Sequence, residues 1–287
     1  MVMLMRQTIS TTKESNYLMS TFSLPKKSII VFTDLDGSLL NHDDYSYTAA
    51  KPALSKVVEL DIPLIPVSSK TCAEIQYIFK SLDIEHPIIA ENGSLIVIPP
   101  YYFNSEMTSS STIYIGKSYA EITEILEKLR KQFAFIGFNN MSEAKVASIT
   151  GLSRPEAIRA KQRQASEPII WEDSQEQFMK FKEKLQEYQL TLTRGGRFWH
   201  VMGGNSKGAA ILELLALYKT HGFSPENTLG IGDSDNDISM LKSVSLPVVI
   251  KKIDGSHLEA ELPEATVYTN EKGPLGWNTA VLNVFNQ

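Results

Sequence analysis

Three short apolar runs of this chain stop in the same way. "SIIVFTDLDG" (28–37), "IPLIPVSSKT" (62–71) and "TLGIGDSDND" (228–237) are each rich in aliphatic residues, and each ends in polar ones. Continuous apolar runs of this length fit parallel strands buried on both faces, and parallel strands need crossover helices between them. Helical spacing appears where that demand places it. Leu54, Val57 and Val58 recur between the first two runs; Ile75, Ile78, Phe79 and Leu82 follow the second, with Thr71 and Glu74 as a capping box. In "NSKGAAILELLALYKT" (205–220) the spacing puts Ile211, Leu212, Leu215 and Tyr218 on one face. The alternation predicts an α/β fold, a Rossmann-like, doubly wound parallel sheet.

From about 107 to 200 the pattern changes. A helix (Ile122, Ile125, Leu126, Leu129), a strand "FAFIGF", polar helical residues, a strand "EPIIWE", a further helix (Phe178, Phe181, Leu185) and a hairpin turning at Gly195 and Gly196 read as α+β. The expected organisation is a loosely held extension at 1–26, a core over 27–100 and 201–287, and an inserted α+β cap over 101–200.

The 287 residues suffice for two such units. With 28 Lys and Arg against 33 Asp and Glu, the formal charge of −5 offers no footprint for nucleic acid and no basic membrane patch. One cysteine, Cys72, excludes an internal disulfide and fits a cytoplasmic location. It reads as a packed small side chain, because no arginine follows it in a phosphate-cradling loop. No stretch has the length of a membrane span, so no membrane partner is expected.

Ligands of open parallel sheets bind beyond the carboxyl ends of the strands. The three runs should therefore deliver Asp34 and Asp36, Ser68 with Ser69 and Lys70, and Asp233 to Asp237 to one place. Such an oxygen-only acidic cluster suits Mg²⁺, and the lack of a His or Cys cluster argues against zinc. Lys207 stands in the first turn of a helix capped by Ser206, where the macrodipole disfavours a cation by roughly 0.3–1 kcal/mol. A bound phosphate would reverse that penalty.

"DLDGSLL", the serine after "LIPV", "SKG" and "GDSDND" resemble, in order and spacing, the four motifs of the haloacid dehalogenase-like phosphatases. The resemblance implies that Asp34 is the nucleophile and that Asp36 is the general acid and then the general base. It also implies Mg²⁺ held by the Asp34 side chain, the Asp36 carbonyl and the Asp233 side chain. Ser68, Lys207 and Asn236 would bind the transferring phosphoryl group, and Asp237 would support Lys207 or a metal-bound water. The usual acidic residue before the lysine is Ser206 here, and the commoner threonine of the first motif is Ser38.

"SSKT", "AENGS", "ITGLSRPEAIRAKQRQASEPIIW", "GGRFWHV" and "KGPLGW" are similar to stretches of the mannosyl-3-phosphoglycerate phosphatases, over about residues 28–278. The implied partner is a phosphorylated sugar-glycerate, with Lys70, Arg163, Arg197 and His200 as candidates to bind it. His200 reads equally as a packed histidine, Arg163 as part of a solvated face, and Trp171 and Trp199 as core. A broader sugar-phosphate or glucosyl-3-phosphoglycerate phosphatase, a phosphomannomutase and a silent binding protein on the same fold remain open.

Overall fold

Ile29, Ile30, Val31, Phe32 and Thr33 are all buried, which explains why the first run shows no polar alternation. Ile29 and Val31 pack into one apolar layer, and Ile30 and Phe32 into the layer on the opposite face. Each such side chain contributes about 1.5–3 kcal/mol on burial. The computed structural model describes residues 28–195 and 198–285. The proposed extension at 1–26 and the candidate Arg197 lie outside them.

The first part of the chain forms β1 (Ile29–Thr33), α1 (Lys51–Glu59), β2 (Leu64–Pro66) and α2 (Cys72–Lys80). Next come β3 (Ile88–Ala90), β4 (Leu95–Ile98) and β5 (Ser111–Tyr114). The middle contains α3 (Tyr119–Leu129), β6 (Phe135–Gly137), α4 (Glu143–Thr150), α5 (Arg154–Ala160) and β7 (Ser166–Trp171). It closes with α6 (Gln175–Glu187), β8 (Thr191–Arg194) and β9 (Trp199–Met202). The last part is α7 (Lys207–Thr220), β10 (Asn227–Gly232), α8 (Ile238–Leu241), β11 (Leu246–Lys251), β12 (Val267–Lys272) and α9 (Gly273–Phe285).

The core sheet has the order β12-β11-β10-β1-β2 and is parallel throughout. A bridge from Val67 to Ile89 joins its β2 edge to the antiparallel sheet β3-β4-β5. β5 pairs with β4, and we propose on that ground that residues 111–114 stay with the core. A second antiparallel sheet, β6-β7-β9-β8, packs Phe135, Ile169 and Val201 against Ile122 and Leu126 of α3 and Phe181 of α6. We place its junctions with the core at Gly116 and Gly203. A Cβ on Gly203 would stand 2.0 Å from the Lys117 nitrogen, so the outgoing and returning segments touch backbone to backbone.

One expected face differs. In α7 the buried side is Ala210, Ile211, Leu214 and Tyr218, while Leu212 is 57% exposed. A helix apolar on most sides does not announce its phase; here Lys207, turned into the core, sets it.

Candidate active site

β1 carries Asp34 out of the sheet with its backbone N–H donating to the Ile231 carbonyl of β10 (2.8 Å). The strand end is braced from behind. Thr33 Oγ1 donates to the Asp34 carbonyl (2.7 Å) and accepts from the buried Trp277 Nε1 of α9 (2.9 Å). The first residue of α7 meets Asp34 from the other side. Lys207 Nζ lies 2.7 Å from Asp34 Oδ1 and 2.6 Å from Asp237 Oδ1, with no exposed side-chain surface.

Asp237 is fully engaged. Its Oδ2 accepts from the Asp233 and Ser234 amides (3.0 Å each) and from Ser234 Oγ (3.3 Å), so it fixes the loop after β10 as well as the lysine. Asp233 has no such support, and its buried Oδ1 has no hydrogen-bond partner among the described residues. Oxygens of Asp34, Asp233 and Asp237 come within 4.8 Å of one another. Burial and the charge of Asp237 raise the Asp34 carboxyl well above the ordinary carboxylate range, and the same two causes push Asp233 up to about 7. Burial works to lower the Lys207 ammonium, but Asp237 and Asp34 more than reverse it, so it stays charged.

Three carboxylates thus face one ammonium, with an orphaned oxygen among them. A hard divalent cation fits that donor set: it offsets the surplus charge and takes hard oxygen ligands. Asp34 and Asp233 would hold it, since Asp237 is already committed.

Asp36 pairs with a different lysine: Lys70 Nζ lies 3.0 Å from its Oδ1 and sits over the Tyr45 ring at 4.5 Å. Burial disfavours this ammonium too, yet Asp36 and Glu74 hold it charged. Ser68 is buried, with its Oγ accepting from the Lys70 amide (3.2 Å). Asn236 accepts from Ser234 Oγ (2.7 Å) and donates from Nδ2 to Asn92 Oδ1 (2.9 Å).

Asp36, Tyr45, Ser69, Lys70, Arg163 and His200 line one cavity of about 130 Å³ between the core and the second sheet. Arg163 is not on a solvated face. It is 5% exposed at the side chain and donates to the Ala160 carbonyl (3.1 Å), the Ser69 carbonyl (2.8 Å) and Ser166 Oγ (3.3 Å). Trp171 packs with Phe178 and Phe181 inside the second domain, and Trp199 lies against Phe178. Cys72 is inert as a nucleophile, because burial and the charge of Glu91 push its thiol up to about 12. Sequence reasoning missed Glu91, Asn92 and Trp277 as parts of this surround, although "AENGS" and "KGPLGW" marked their neighbourhoods.

His200 carries a testable consequence for stability. Burial, then Arg163 and Lys207, hold its imidazole neutral down to about pH 3, against an ordinary value of 6.5. The unfolded chain takes up that proton first. The contribution is therefore complete above about pH 6.5 and falls by up to about 1.4 kcal/mol per pH unit on acidification. Urea unfolding of His200→Gln and wild type between about pH 6 and 4 should show a flatter slope for the variant; parallel slopes would remove His200 as the cause.

Among the described residues no helix is long and apolar enough to cross a membrane. A family model for haloacid dehalogenase-like hydrolases matches residues 31–260. A glucosyl-3-phosphoglycerate/mannosyl-3-phosphoglycerate phosphatase of Methanococcoides burtonii is 38% identical over 266 residues, covering 90% of this chain and 97% of that protein. One with the same name from Persephonella marina is 36% identical over 266 residues, covering 90% and 98%. The solved structure of BT1666 from Bacteroides thetaiotaomicron, described as one of the phosphatases of that superfamily, superposes with a TM-score of 0.64. It is 17% identical and covers 91% of this chain and 96% of that one, a likeness that speaks to the fold. With the family model spanning most of the sequence and relatives this similar over nearly all of it, the chain belongs to the haloacid dehalogenase-like hydrolases.

Proposed function

We propose that this chain is a cytosolic, Mg²⁺-dependent phosphatase that hydrolyses mannosyl-3-phosphoglycerate to mannosylglycerate and phosphate. The observation that carries the chemistry is Lys207, buried between Asp34 and Asp237 beside an Asp233 oxygen that has no partner among the described residues. The names of the two relatives support the substrate, and they equally favour a second reading in which the glucosyl analogue is also accepted.

A carboxylate oxygen of Asp34 attacks phosphorus as the ester P–O bond breaks, leaving an aspartyl phosphate. Asp36 gives its proton to the departing 3-oxygen of the glycerate. As a carboxylate it then takes a proton from the water that attacks phosphorus, and inorganic phosphate leaves with Asp34 restored. Lys207, Ser68 and Asn236 bind the phosphoryl oxygens, and Asp237 holds Lys207 in line. Bound Mg²⁺ would screen the attacking carboxylate from the phosphate it approaches. In the adjoining cavity Lys70 and Arg163 suit the glycerate carboxylate, and the neutral His200 suits a sugar hydroxyl.

The test is a panel of phosphate esters, with and without Mg²⁺ and without a bisphosphate activator. Release of inorganic phosphate should be fastest from the mannosyl or glucosyl ester of 3-phosphoglycerate. Preference for a simple hexose phosphate would overturn the substrate assignment, and phosphate return to a sugar would indicate a mutase. In Asp36→Asn the aspartyl phosphate should accumulate and be visible by intact mass; unimpaired turnover would remove Asp36 from its role.

A further inference from the structure

Glu91, in "AENGS", is completely buried, and a carboxylate withdrawn from water persists only where hydrogen bonds replace its hydration. It belongs to the core side, directly after β3, yet its partners come from the second domain. Oε1 accepts from the Gln164 amide (2.8 Å), and Oε2 accepts from the Ala165 amide (3.1 Å) and the Ser166 hydroxyl (2.8 Å). Arg163, 4.0 Å from Oε2, reaches back to the Ser69 carbonyl of the core.

The backbone at this point is left-handed at three consecutive residues, Glu91 (φ 51°), Asn92 (φ 58°) and Gly93 (φ 87°). Two of them are not glycine, and such a conformation survives only where the surroundings over-determine it. They do so here, each residue in a different direction. Asn92 donates its N–H to the Ser68 carbonyl (2.8 Å), accepts from Asn205 Nδ2 at its own carbonyl (3.4 Å), and accepts from Asn236 Nδ2 at Oδ1 (2.9 Å). Its Nδ2 is buried without a partner among the described residues. Gly93 lies against the start of α7: a Cβ there would stand 2.2 Å from the Ser206 carbonyl oxygen and 2.8 Å from the Lys207 nitrogen.

We infer that Glu91, Asn92 and Gly93 form one positioning element, through which the seating of the second domain on the core sets Asn236 and Lys207 around the transferring phosphoryl group. The inference rests on the phosphatase reading above. When the donors at 164–166 withdraw, the Glu91 carboxylate must rehydrate, and the turn that supports Asn236 loses the contacts that hold it left-handed. Glu91 then acts on the chemistry without touching the substrate, by a chain of direct contacts.

The probe is orthovanadate, which occupies a phosphoryl site and has no sugar or glycerate with which to reach the second domain. In Glu91→Gln, inhibition of para-nitrophenyl phosphate hydrolysis by vanadate should weaken by about ten-fold, and kcat should fall with it. A vanadate constant within about two-fold of wild type, with only the KM for the sugar-glycerate altered, would make Glu91 a mere fastener and overturn the inference. Should Glu91→Gln not fold, Ser166→Ala removes one of its three donors and is read identically. A second arm does not depend on activity: Asn92→Ala should speed hydrogen exchange at the Gln164 and Ala165 amides, which it does not touch. Unchanged exchange there overturns the coupling. A wild type inert toward every phosphate ester and vanadate removes the phosphatase reading instead, and the exchange arm then decides alone.

Discussion

Asp34→Asn should lower turnover of every phosphate ester to the rate of protein-free buffer, a loss of at least about four orders of magnitude, while the chain stays folded. The amide cannot attack phosphorus. No phosphoryl adduct should appear by intact mass, even in the presence of Asp36→Asn, which otherwise traps one. Stability should hold or rise, because Asp34 is buried beside Asp237 and Asp233 and its carboxyl is raised by burial and by Asp237. Removing one of three clustered negative charges relieves repulsion that Lys207 only partly offsets. Turnover near that of wild type would dismiss Asp34 as the nucleophile.

Lys207→Met should have the largest effect on folding. The side chain is fully buried and serves Asp34 and Asp237 together, so the substitution strands two carboxylates without their cation. Breaking a buried pair from one side costs about 3–5 kcal/mol, measurable by urea unfolding at neutral pH. The direction with pH is fixed by the same charges. Carboxylates without a cation bind protons more readily, so the deficit should shrink as the pH falls and the cluster neutralises. A loss under about 1 kcal/mol at neutral pH would show that the lysine is not what compensates the pair.

What the sequence disclosed, it disclosed through local physics. Buried parallel strands must be apolar throughout and must become polar where they leave the sheet, so Asp34, Ser68 and Asp233 stood out without knowledge of their neighbours. Lys207 stood out because a cation at a helix start needs an anion. Residues whose meaning depends on distant chain did not. Glu91 looks like a loop residue until the segment 164–166 folds over it, 73 positions later. Arg163 lies in a run of polar residues that reads as solvated, and partners such as the Ser69 carbonyl and the Glu91 carboxylate, distant in sequence, explain its burial. The pairing of β5 with β4 was hidden because β5, with its alternately half-buried and exposed "STIY", carries no core pattern of its own.

The contact between Gly116 and Gly203 has a consequence for how such a chain can be remodelled. Everything from Lys117 to Met202 enters and leaves through adjacent points, so the second antiparallel sheet and its helices amount to a plug-in whose two leads are soldered side by side. Splicing in a different module at those leads spares the register of β5, but the newcomer must bring Glu91 donors equivalent to those at 164–166, or the turn against α7 loses its support. On the proposed reading, a swap that keeps those donors would exchange selectivity for the organic half of a substrate, and one that omits them would also disturb Lys207 and Asn236.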